Sequence, residues 1–170
     1  MPTVTQPLRE EHRELLPSVE LLRVAAEAVD RVPAAELCDR VDAAYDFLAG
    51  HLIPHALAED EALYPVVARV MGAPNATSTM SRDHVEVSRL TEDLLSLRAR
   101  LPAGEHERLV ADGLRRVLYG LYALVKVHFA KEEEIYLPLL DESLPPSEAR
   151  AMFEAMERAA AAAKDRRVAL

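Results

Sequence analysis

The chain has 170 residues, a formal net charge of −9 and a single cysteine, Cys38. That length is most simply one domain, 1–170, large enough to bury a core without a staple, and a lone cysteine closes no internal disulfide. No basic stripe is present to neutralise a phosphate backbone, no apolar run is long enough to span a bilayer, and the opening MPTVTQPLREEHREL lacks a signal-peptide pattern; the expectation is a cytoplasmic protein with no nucleic-acid partner and no membrane.

Helical periodicity runs through nearly the whole chain and no convincing strand interrupts it. Leu8, His12, Leu15, Val19, Leu22 and Ala26 mark a first helix over roughly 6–30, with Pro17 expected to kink it. Pro33 suits a first helical position. The second helix presents Leu37, Val41, Ala44, Leu48, Leu52, His55 and Glu59, and ends near Tyr64 or runs past Pro65 to Gly72. The polar stretch PNATSTMS follows, offering Thr77, Ser78 and Thr79 as caps. A third helix carries Met80, His84, Val87, Leu90, Leu94 and Leu97 and stops at Pro102 and Gly104. The fourth presents Val117, Leu121, Leu124, His128, Glu132 and Ile135, with Pro138 at its expected end. An Ala-rich stretch over 146–165 reads as a packing helix. The fold class is therefore all-α: an antiparallel up-down-up-down four-helix bundle over 6–141, two pseudo-symmetric hairpins, plus a short C-terminal helix.

Two phrases repeat within this pattern, HALAEDEALYP from residue 55 and HFAKEEEIYLP from residue 128, 73 residues apart. In each, a histidine and a glutamate four residues on share one helical face, and that face is the apolar stripe. A single His-x-x-x-Glu on a helix is usually a solvated pair contributing a few tenths of a kcal/mol. Two in register on core-facing stripes are different, because each unpaired buried carboxylate or imidazole would cost several kcal/mol. His12 and His84 stand 72 residues apart at matching offsets, so each hairpin offers one histidine from its first helix and His-x-x-x-Glu from its second. Four imidazoles and two carboxylates converging in a bundle form a donor set for two metals: His12, His55, Glu59, His84, His128 and Glu132.

These residues, in REEHREL, HALAEDEALYP, SRDHVEV and HFAKEEEIYLP, resemble the haemerythrin-like proteins of the His-His-Glu cation-binding family over about residues 8–140. The resemblance implies a non-haem di-iron centre, two iron ions joined by an oxo or hydroxo bridge and by the two glutamates, with histidines at either end. It implies a small diatomic or peroxide ligand as partner and leaves the oligomeric state open. Three functions follow as expectations: binding of a small oxidant (dioxygen, nitric oxide or peroxide); catalase-like, peroxidase-like or ferroxidase activity; and iron or redox sensing through metal-dependent folding. No general base or substrate pocket for an organic substrate is legible, and no catalytic residue is assigned.

His51 breaks the internal symmetry. It lies one turn before His55, its counterpart in the second half is Leu124, and an α-helical count makes it a candidate additional ligand, with Pro54 expected to bend the helix at the site. In relatives that bind oxygen reversibly the fifth histidine lies on the third helix, so His51 departs from that pattern. His106, out of phase with the others, reads as a surface residue. Asp60, Glu133 and Glu134 rotate away from the ligand face and also read as surface. Tyr45, Tyr64, Tyr119, Tyr122 and Tyr136 read as core or edge residues; a phenolate is a known ligand of ferric iron, and the sequence does not select among them.

Overall fold

The computed structural model describes residues 3–101 and 108–168, all of whose regular structure is helical. Helix α1 (Gln6–Ala28) starts with Pro7 in its first turn, where a missing N–H costs nothing. It stays one helix through Pro17, whose ring is exposed, so the Arg13 carbonyl that loses its helical donor lies on the water side. The chain then turns through Asp30, held at φ 62°, and starts α2 (34–71) immediately after Pro33. That helix runs past Pro65 and closes at Gly72, whose φ of 63° is costly for any other residue, with the Ala73 N–H donating to the Ala68 carbonyl at 3.1 Å. Helix α3 (Ser78–Arg98) follows Thr77, whose carbonyl accepts from Met80 and Ser81. Helix α4 (108–143) continues beyond Pro138, and α5 (Pro146–Val168) begins two residues after it ends. His106, Pro102 and Gly104 lie outside the described residues.

The α2 and α4 helices are not regular throughout. Each contains a widened turn that opens at a glutamate of the repeated phrase: the Tyr64 N–H donates to Glu59 and the Leu137 N–H to Glu132, five residues back instead of four. A third such turn spans Leu48–Leu52, with Ile53 donating to Leu48. In all three the next residue is proline, Pro65, Pro138 and Pro54. Proline has no N–H and its ring crowds the carbonyl four residues earlier, so the preceding turn accommodates one extra residue in place of breaking. The Glu133 carbonyl, which would have met Pro138, accepts instead from Arg9 Nη1 at 3.4 Å.

Helices α1 to α4 pack in cyclic order, α1 against α2 and α4, α3 against α2 and α4. Their apolar faces form two separate clusters. One holds Val19, Leu22, Leu37, Val41, Leu48, Leu94, Leu114, Leu118 and Leu121. The other holds Leu8, Leu63, Tyr64, Val67, Met80, Leu137 and Leu140, and α5 adds Met152, Met156 and Ala159 to it. Along every one of the four helices the repeated histidines and glutamates fall between a member of one cluster and a member of the other. A polar layer thus crosses the bundle between two apolar ones. The packing helix α5 lies over the 53–63 part of α2 and covers only the second cluster.

Candidate metal centre

All six residues of the repeated motif meet in this layer, and all are buried; Glu59 and Glu132 have 0 % exposure. Two triads converge on points within the layer, His12 with His55 and Glu59, and His84 with His128 and Glu59. The two Glu59 oxygens divide between them: Oε1 is 3.0 Å from His55 Nε2 and 3.8 Å from His12 Nε2, whereas Oε2 is 3.3 Å from His84 Nε2 and 3.9 Å from His128 Nε2. Glu132 divides the same way, Oε2 lying 3.4 Å from His12 Nε2 and Oε1 3.5 Å from His128 Nε2. Each carboxylate therefore faces both histidine pairs.

Every Nδ1 points outward to a carboxylate on a neighbouring helix. His12 donates to Glu133 at 2.9 Å, His84 to Asp60 at 2.9 Å and His128 to Asp83 at 3.1 Å. His55 Nδ1 stands 3.0 Å from Glu11 Oε1, close enough for an ion pair although not aligned as a hydrogen bond. The contacts run in a ring: α4 to α1, α1 to α2, α2 to α3, α3 to α4. With Nδ1 committed outward, each Nε2 lone pair is aimed into the layer, as a metal-ligating imidazole requires. Three outer carboxylates have a further partner, Arg9 on Glu133, Lys131 on Asp83 and Ser81 Oγ on Asp60.

The charges demand compensation. Burial alone would push the Glu59 carboxyl up, yet His55, His12 and His128 hold it well below the usual carboxylate range. Burial would push the imidazoles down, but Glu59 and Glu11 hold His55 well above the ordinary histidine value, and Glu132 and Glu59 lift His128 to about 10. His84 is raised by Asp60 and Glu59 against its own burial. The layer thus favours positive charge at its centre. Even so, His12 Nε2, both ring nitrogens of His55, both oxygens of Glu59 and Glu132 Oε2 are buried without a hydrogen-bond partner. Orphaned buried donors and acceptors of this kind are rare in native proteins, and the five of them that face the layer fit metal ions as their missing partners.

Tyr64 joins the site from the side of the second apolar cluster. Its hydroxyl donates to Glu132 Oε1 at 2.7 Å and stands 3.2 Å from His128 Nε2 and 3.4 Å from His84 Nε2, with its ring stacked on His84. Burial, followed by the charges of Glu59 and Glu132, pushes its pKa up. Its counterpart at the 73-residue spacing is Leu137, so the asymmetry of the centre lies here. His51, by contrast, is exposed: it sits inside the widened Leu48–Leu52 turn, which changes its phase, and it joins neither triad. Ile135 is 56 % exposed for the same reason. Asp60 and Glu133, read from the sequence as surface, are half-buried partners of His84 and His12, while Glu134 is exposed as expected. The signal that could have revealed the outer carboxylates is the repeat itself, since Glu11 and Asp83, and Asp60 and Glu133, recur at 72–73 residues.

On the side opposite Tyr64 lies a small cavity of about 10 Å³, lined on one side by His55, Glu59, His84 and His128 and on the other by Leu52, Ala56, Val87, Val125 and Phe129. No helix among the described residues is long and apolar enough to cross a membrane. A family model described as the Hemerythrin HHE cation binding domain matches residues 3–140. No curated protein and no solved structure matches the chain.

Proposed function

Because the chain belongs to the hemerythrin HHE cation-binding family, we propose that its His/Glu layer holds two iron ions and takes up one small oxidant beside them. His12 and His55 would hold one ion, His84 and His128 the other, and Glu59 and Glu132, each with an oxygen toward either pair, would join them. Iron bound there supplies the reversible change of oxidation state that capture of dioxygen, nitric oxide or peroxide needs. The protein's part is to fix the donors, exclude water and limit what reaches them. The outer carboxylates hold His12, His84 and His128 by hydrogen bonds and His55 by an ion pair, with Nε2 inward, and Tyr64 closes one side.

The observation that carries the ligand class is the cavity. Its roughly 10 Å³ of free space is about what one water-sized molecule needs, too little for an organic substrate. Its far wall is Leu52, Ala56, Val87, Val125 and Phe129, with no side-chain hydrogen-bond donor or acceptor among them. An uncharged diatomic loses little on entering such a space, whereas peroxide finds acceptors for its O–H groups only on the opposite side, at Glu59 and the histidines. Dioxygen or nitric oxide therefore ranks ahead of peroxide decomposition.

Two measurements test this. Elemental analysis of the iron-loaded protein should give two irons per chain, and Glu59→Ala should lower occupancy of both positions together; one iron per chain at saturation would rule out the paired centre. Stopped-flow absorption spectroscopy of the reduced protein mixed with dioxygen or nitric oxide should show a saturable new band. Steady oxygen release from peroxide with no such band would make the protein a peroxide-decomposing enzyme instead.

A further inference from the structure

Three clefts reach toward the metal layer from the surface, and they differ in what closes them. The cleft between α1 and α4, about 370 Å³, has Arg9, Arg13 and Lys126 around it and ends on His12 and the Phe129 ring stacked on it. The Phe129 ring stacks on His12 with centroids 4.4 Å apart and also walls the inner cavity, so it fills the passage between the two spaces. The cleft between α1, α2 and α5, about 240 Å³, ends on the His55 imidazole itself, and passage there would require a ligand side chain to move. The cleft between α2 and α3, about 350 Å³, is the pseudo-symmetric partner of the first and reaches His84 as the first reaches His12. At the position 73 residues before Phe129 it has Ala56, which walls both this cleft and the inner cavity. A methyl group stands where the other face has a phenyl ring.

The rims differ as well. Arg9, Arg13 and Lys126 are ion-paired across the α1/α4 cleft and its surroundings, with Glu133, Glu10 and Glu20. The α2/α3 cleft has Arg89 and Glu92 at one end but also exposes Leu57 and Val85 on its two lips, 44 % and 54 % accessible. An uncharged diatomic concentrates at apolar surface and pays no desolvation cost in leaving it.

We infer that small ligands reach the metal layer through the α2/α3 cleft past Ala56, and that Ala56 is the residue that sets the size of what passes. The inference rests on the small-ligand reading above. Ala56 acts as a positioning residue for the path, touching no reacting atom, and Phe129 keeps the opposite face shut.

The test uses nitric oxide as probe on the reduced, iron-loaded protein, following association and dissociation rates by stopped-flow absorption. Ser88→Trp, on the half-exposed wall of the same cleft, plugs it without disturbing the core and should slow both rates by about tenfold, leaving Kd and iron content at wild-type values. Ala56→Leu should slow association at least as much. Ala130→Leu fills the α1/α4 cleft and should change neither rate, because Phe129 already closes it. Wild-type rates in Ser88→Trp, or slowing by Ala130→Leu alone, would overturn the route while leaving the small-ligand reading intact. A wild-type protein that takes up iron but no nitric oxide or dioxygen would take down both.

Discussion

Asp60 and Glu133 show how far a single side chain can be misjudged by its place on a helical wheel. Each follows a layer glutamate, about 100° around the helix from it, and a wheel divides positions only into core-facing and water-facing. In a four-helix bundle that flank faces the next helix, and there each meets a histidine at 2.9 Å. Replacing Asp60 by Asn keeps the shape but removes the charge that orients His84, so metal affinity should fall by about 10–100-fold. Glu134→Gln, one position beyond Glu133 and exposed, should leave it unchanged. Equal affinities of the two variants in a competitive chelator titration would show that the outer carboxylates do no more than solvate the surface.

His128 and Glu59 set an unusual pH dependence for the metal-free protein. His128 is held at about 10, above its ordinary 6.5, so its stabilising charge is fully present below pH 6.5 and is lost as pH rises toward 10. Glu59 is held below its ordinary 4.5, so its contribution is present above that value and lost on further acidification. Metal-free protein should therefore melt highest between about pH 4.5 and 6.5 and progressively lower toward pH 10. The metal-loaded form should behave oppositely over the same range, since protons compete with metal for imidazole and occupancy falls on acidification. Parallel melting curves of the two forms against pH would contradict the assignment of the layer as a cation site.

At the level of the helices, the widened turns explain both what the sequence revealed and what it hid. The six layer residues were legible because His55 to Glu59 and His128 to Glu132 are ordinary α-helical steps. Tyr64 was not, because five residues beyond Glu59 in an α-helix is roughly 140° off the ligand face. With one residue absorbed by the turn, the offset drops to about 40° and the phenol returns to the site. His51 and Ile135 move the other way, out to solvent. The punctuation was visible as Pro54, Pro65 and Pro138, but proline reads from sequence as a break or kink, and the neighbouring helices favour continuation. Pro138→Ala restores an N–H and by propensity alone should strengthen the helix by up to about 3 kcal/mol. Returning the turn to four residues would swing Leu137 and Leu140 out of phase with Glu132, so iron affinity should nonetheless fall, with helical circular dichroism unchanged or higher. An iron affinity equal to wild type would mean that the bulge persists without its proline.

For the whole molecule, the two apolar clusters flank a layer of buried charge several of whose nitrogen and oxygen atoms have no hydrogen-bond partner without metal. Removing the metal leaves Glu59, Glu132 and four imidazoles to be balanced by protons alone, so the chelated protein should melt earlier, its stability lower by several kcal/mol. Calorimetry with and without chelator measures the difference, and identical melting temperatures would refute it. The bundle itself was readable from the internal repeat. The coverage by α5 was not, because the Ala-rich 146–165 stretch shows only a weak amphipathic pattern and its apolar partners, Ala58, Ala62 and Leu63, lie on a helix already accounted for.

The ring of outer carboxylates has a consequence for how the chain could be taken apart. Two of its four contacts, Asp60 to His84 and Glu133 to His12, pass from one hairpin to the other, as do the oxygens of both glutamates. Neither hairpin alone can orient its own first histidine. A chain cut in the 72–77 connection should thus yield two peptides that reassemble only when iron is supplied, the metal serving as the fastener between halves. Gel filtration of the cut protein before and after chelation would show one species becoming two, and a nicked complex that survives chelation would mean that the apolar clusters suffice to hold the halves together.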